Sequence, residues 1–160
     1  LAPIEFSEYF CFARNKFQEA GKRIPAEIFR SVYSKFFGGT GPIQLVLNRL
    51  FSETPKNGSV TTEIFDTVIE AIVDEYAVFY KEALSRLSFN QKCLVFAVAK
   101  DGAVENPSSS EFVNRHSLAS VSSVQSSARA LLEQGILHKD ACGIRIDDDF
   151  FCEWLRRGYF

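Results

Sequence analysis

The stretch that decides the fold is "SVSSVQSSARALLEQGILHKDACGIRID", Ser120–Asp147. Val121, Val124, Ala128, Leu131 and Leu132 recur at steps of three and four, the spacing of one buried helix face. Ser122 and Gln125 read as a capping box opening that helix, and Gly135 reads as its stop. "ILHK" and "IRID" then flank "DACG", with Ile144 and Ile146 alternating with Arg145 and Asp147, the signature of a β-hairpin. By helical phase the outer face of the helix carries Ser123, Gln125, Ser126, Arg129 and Glu133.

Working outward, two more capping boxes precede this helix. Ser88 and Gln91 open a helix running through Lys100, and Ser108 and Glu111 open a short one holding Phe112 and Val113. After the hairpin, "DDFFCEWLRR" begins with acids and ends with arginines, which suits a helix macrodipole. Phe150, Phe151, Trp154 and Leu155 of that segment are expected in the core. Three capped helices followed by a hairpin predict a winged helix-turn-helix.

The first half reads as four amphipathic helices without a strand pattern. Phe6 to Ala20 form the first, stopped by Gly21. Pro25 suits a first helical turn before Ile28, Phe29, Val32, Tyr33, Phe36 and Phe37, and Gly38 and Gly39 close that run. "TGPIQLVLNRLF" opens a third helix, "ETPKNGS" is a loop, and a long helix starts at Thr62. The expected fold is therefore mainly α: a four-helix lid-like bundle over residues 1–84, then a winged helix over 85–160.

Composition narrows the function. The chain is 46% hydrophobic with 16 Phe, enough for a packed core, and its net charge is −2. No apolar run approaches the roughly 18 residues that span a bilayer, and no basic-then-apolar start marks a secretory signal. Cys11, Cys93, Cys142 and Cys152 form no C-x-x-C pair, so buried free thiols in a reducing cytosol are expected. Met is absent and the chain opens inside patterned sequence, which predicts a part of a longer protein.

At this point a resemblance enters. "FARNKFQEAGKRIPAEIFRSVYSKFFGGTGPIQLVLNRLF" resembles the helical lid that follows the nucleotide-binding core of AAA+/STAND-type predicted ATPases related to archaeal-type ATPases. "LSFNQKCLVFAVAKDG" and "IRIDDDFFCEWLRR" resemble the winged helix that ends those chains. The resemblance implies an N-terminal P-loop ATPase domain as neighbour, with ATP and Mg bound there rather than by this chain. It also implies that the Gly41–Pro42 turn lies near nucleotide, although Gly39-Thr40-Gly41-Pro42 departs from the G-x-P spacing of that family. No G-x-x-x-x-G-K-[ST] occurs here, so no catalytic residue is assigned.

The remaining question is whether the winged helix grips DNA. Candidate contacts for DNA or a protein partner are Arg115, Ser123, Gln125, Ser126, Arg129, Lys139 and Arg145. Serine and glutamine bond to phosphates and base edges, and arginine forks onto guanine. Residues 85–160, however, hold nine Lys and Arg against nine Asp and Glu. Phosphate neutralisation supplies most DNA affinity, and a neutral module lacks it. The favoured expectation is a cytoplasmic, nucleotide-responsive regulatory or interaction module. A DNA-binding module of a transcription regulator and a structural or oligomerisation domain are the alternatives.

Overall fold

A computed structural model describes residues 4–158. The chain forms two compact units, Leu1–Asp74 and Glu75–Phe160. They meet inside one long helix, α4 (Thr62–Ser85), ten residues before the boundary drawn from the sequence. The reason lies in the second half of α4. Tyr80 is buried there, with its ring 5.2 Å from Phe151 and 5.9 Å from Trp154.

The N-terminal unit contains α1 (Phe6–Glu19), α2 (Ala26–Lys35), α3 (Thr40–Glu53) and the first half of α4. Glu5 caps α1, its carboxylate accepting from the Ser7 and Glu8 amides at 2.8 and 3.3 Å. Gly21, at φ +68°, ends the run as expected, and Pro25 caps α2 from just outside it. Phe29 is fully buried, with Phe6, Tyr9 and Phe10 within 5.6 Å of its ring. Phe37 departs from the periodic reading. It stands beyond α2 at φ +50° and is 44% exposed, because the chain turns before Gly38 and not after it. One parallel bridge, Arg23 with Ser59, joins two loops where the sequence shows no strand pattern. It places Val60 in the core.

The C-terminal unit follows α4 with α5 (Phe89–Asp101), α6 (Ser110–Arg115), α7 (Val121–Glu133), β1 (Leu137–Asp140), β2 (Gly143–Ile146) and α8 (Asp149–Arg157). This is the helix–helix–helix–hairpin order expected of a winged helix. The Ser88–Gln91 capping box is formed in both directions. The other two caps sit elsewhere. Ser109, not Ser108, accepts from the Phe112 amide, and Ser120, not Ser122, accepts from the Ser123 amide. In serine-rich segments several hydroxyls compete for one cap, and packing chooses among them.

The hairpin pairs Leu137 with Ile146 and Lys139 with Ile144. A further antiparallel bridge joins Val104 to Ile144, with N···O distances of 2.8 and 2.9 Å, so the α5–α6 connection adds a third edge to the sheet. Gly143 makes that approach possible. A Cβ there would lie 2.6 Å from the Val104 carbonyl oxygen, and its φ of +120° suits glycine. Trp154 is fully buried, with Phe150, Phe151 and Leu155 beside it in the core as expected.

Candidate functional site

The outer face of α7 was expected to carry four of the candidate contacts, Ser123, Gln125, Ser126 and Arg129. Gln125, Ser126 and Arg129 are exposed on it, as the helical phase predicts. Ser123 is half-buried instead, and Ser122 takes its place on the outside. The cap at Ser120 sets the first turn, which leaves Val121 38% exposed and brings Ser127 into the core. A small serine fits there because α7 packs closely on α5. The hydroxyls of this face are partly committed. Ser126 donates to the Ser122 carbonyl at 2.9 Å, and the Ser120 and Ser122 hydroxyls lie 3.2 Å apart.

The basic candidates divide into two groups. Arg129 and Lys139 are exposed, and no ion pair among the described residues involves either. Arg115 and Arg145 are held by acids. The Arg115 guanidinium donates to Asp101 at 2.6 Å, lies 3.9 Å from Glu111 and rests over the Phe112 ring. Arg145 donates from Nε to Asp140 at 2.9 Å and from Nη1 to Asp149 at 3.3 Å, and its side chain is only 18% exposed. The hydrogen bond to His116, followed by the charges of His116 and Arg115, holds the Asp101 carboxyl below its usual range. The hydrogen bond from Arg145 does the same for Asp140.

The three aspartates of "IDDDFF" take separate tasks. Asp147 lies 3.1 Å from His138 Nδ1. Asp148 caps α8, accepting from the Phe150 and Phe151 amides at 2.9 and 3.0 Å, and also accepts from the Tyr80 hydroxyl at 3.3 Å. Asp149 is largely buried, and burial pushes its carboxyl up to about 6 against the opposing pull of Arg145. Among the described residues, no group of three or more His, Cys, Asp or Glu is placed to hold a metal ion. The four thiols are free, but none is fully buried: Cys11 and Cys142 are exposed, and Cys93 and Cys152 are half-buried. Cys142 occupies the hairpin turn and Cys11 an outer face of α1, positions that periodicity alone does not mark as polar.

Residues 78–157 match the family described as "Probable winged helix domain". The chain belongs to this family. No curated protein and no solved structure matches it. The match spans the second half of α4 through α8, so the winged-helix unit includes the Tyr80 turn of α4 that the sequence reading assigned to the helical half. The Tyr80–Asp148 hydrogen bond joins residues 68 positions apart, and the sequence carried no sign of it. No helix of the described residues is long and apolar enough to cross a membrane.

Gly41 and Pro42 occupy the first turn of α3, behind Gly39 as its cap. Gly41 is exposed, and a Cβ there would meet nothing within 4 Å. This is an open helix start and not a cradle shaped around a ligand. Gly41 and Pro42 belong to the N-terminal unit, and α7 belongs to the C-terminal one.

Proposed function

We propose that the winged-helix unit is a protein-contacting regulatory module and not a DNA reader. The observation that carries this reading is the pairing of Arg115 and Arg145 with Asp101, Asp140 and Asp149. Each phosphate contact that releases counterions requires a free cation. Two of the four candidate cations are already neutralised within the fold. The face that remains is small and polar, with Ser122, Gln125 and Ser126 around the single Arg129. Small side chains on this face leave room for a folded partner to approach the helix closely.

In the fuller form of the proposal, the module works in the cytoplasm beside a P-loop ATPase domain of a longer protein. That domain would bind ATP with Mg, and its nucleotide state would reposition the winged helix. The resemblance of the helical half to an ATPase lid supports this form. Gly41 and Pro42 lie at an open helix start, where a neighbouring domain has room to approach. Nothing in this chain supplies a phosphate loop, so the nucleotide would be held by that domain.

The test is fluorescence anisotropy with a duplex of mixed sequence, read at two salt concentrations. The reading expects binding weaker than about 10 μM at 150 mM salt, within the non-specific range. Submicromolar, steeply salt-dependent binding would sink it. That outcome would favour the DNA-binding alternative, which the unpaired Arg129 and Lys139 support. In the longer protein, hydrogen exchange of residues 120–134 should change between ATP-bound and nucleotide-free states. Identical protection in both would overturn the nucleotide-responsive form.

A further inference from the structure

An open surface pocket of about 410 Å³ in the N-terminal unit is lined by the exposed Arg14, Gln18 and Arg23, with Ile24, Pro25 and Ser59 beneath them. Arg14 and Gln18 stand four residues apart on α1, so they share one face of that helix. Arg23 and Ser59 are brought together by the backbone. The Arg23 amide donates to the Gly58 carbonyl at 3.0 Å, and the Arg23 carbonyl accepts from the Val60 amide at 2.9 Å. A helix face and a pinned bridge thus form the walls.

Neither guanidinium meets a carboxylate among the described residues. Arg14 rests over the Phe10 ring at 5.7 Å and reaches the Cys11 sulfur at 3.9 Å. Among the described residues, Arg23 has no side-chain hydrogen bond or ion pair. Two cations that share one pocket repel each other, and this chain has 20 acids available for its 18 lysines and arginines. Arg86, Arg115, Arg145 and Arg157 each meet an acid; Arg14 and Arg23 line one pocket without one.

We infer that this pocket is an oxyanion site, taking a small phosphorylated or sulfated ligand. A guanidinium fork matches two oxygens of a phosphate or sulfate. Gln18 on the helix face and Ser59 on the bridge add neutral hydrogen-bonding side chains to the lining. The start of α2 beside Pro25 has no side-chain cap, so its amide dipoles add to the field of the arginines. Glu27, the acid of that turn, is not among the lining residues. The site lies in the other unit from α7 and does not depend on what α7 contacts.

The test is a 1H–15N titration of the 160-residue chain with sodium phosphate, with sodium sulfate, and with sodium chloride at matched ionic strength. Saturable shifts at Arg14, Gln18, Arg23 and Ser59 are expected with phosphate or sulfate, at millimolar concentration, and not with chloride. Whichever oxyanion saturates at the lower concentration identifies the ligand class. Arg14→Gln with Arg23→Gln should weaken binding roughly tenfold or more, while Arg129→Gln should leave it unchanged. Should the double variant lose its helical circular dichroism, Arg23→Gln alone carries the comparison. Arg23→Lys, which keeps the charge and loses the fork, should fall between the two. Shifts that do not saturate, that chloride reproduces, or that survive in the arginine variants would overturn the assignment.

Discussion

Two arginines of the winged-helix unit and two of the helical unit stand in different surroundings. In the winged-helix unit, Arg115 and Arg145 lie in ion pairs that seat them against the fold. In the helical unit, Arg14 and Arg23 face a shared pocket with no carboxylate between them. The formal charge of each residue is the same. What differs is whether the fold brings an acid within reach, from four residues away for Asp149 and Arg145 to 14 for Asp101 and Arg115. Arg115, at the end of α6, meets Asp101, at the end of α5, across 14 residues. A basic residue in a winged helix is thus no evidence of a phosphate contact until its partner is known.

Four experiments would break or sharpen this contrast. The largest effect should come from Gly143→Ala. The added Cβ would meet the Val104 carbonyl at 2.6 Å, at a φ that L-residues rarely adopt. A loss of about 3 kcal/mol in urea unfolding is expected. A loss below about 1 kcal/mol would show that the third sheet edge does not hold the wing.

Next is Asp149→Asn, read as stability against pH. The folded-state value of about 6 lies above the ordinary carboxyl value, so the folded state binds this proton more tightly than the unfolded chain does. The stability this group contributes is therefore present below about pH 4 and is lost as pH rises to about 6. The variant removes that decline. The difference in stability between native and variant proteins should shift by about 2 kcal/mol in the variant's favour between pH 4 and pH 7. A pH-independent difference would mean that Arg145 fully offsets the burial.

Asp101→Asn with Asp140→Asn turns the contrast around. Both arginines lose a charged partner, and duplex affinity at low salt should rise by about tenfold, with a steeper salt slope. An unchanged slope would show that the acids are not what keeps the unit off DNA. The smallest effect is expected from Gln18→Glu, which supplies the helical unit with the carboxylate it lacks. It should pair with Arg14 on the same helix face and weaken phosphate binding about fivefold, with stability changing by no more than about 0.5 kcal/mol. Undiminished phosphate binding would argue against a role for this wall of the pocket.

The elements of the fold were largely legible in the sequence, because periodicity, caps and glycine stops are local signals. The Ser88–Gln91 box, the Gly21 stop and the Leu137–Ile146 hairpin all formed as read. The caps at Ser109 and Ser120 were displaced by one and two residues, since each neighbours another serine able to do the same work. On α7 the buried face runs through Val124, Ser127, Ala128 and Leu131, which leaves Ser122 exposed and Ser123 half-buried.

The candidate site was legible as a list of residues and not as a charge pattern. Sequence by itself determined that the chain is mainly helical, that a hairpin follows α7, and that the C-terminal half is electrically balanced. These follow from spacing and counting. Only tertiary structure decided which charges cancel, where α4 passes from one unit to the other, and that Tyr80 meets Asp148. Coulomb interactions and hydrogen bonds act over a few ångströms in space, and a sequence orders residues along the chain.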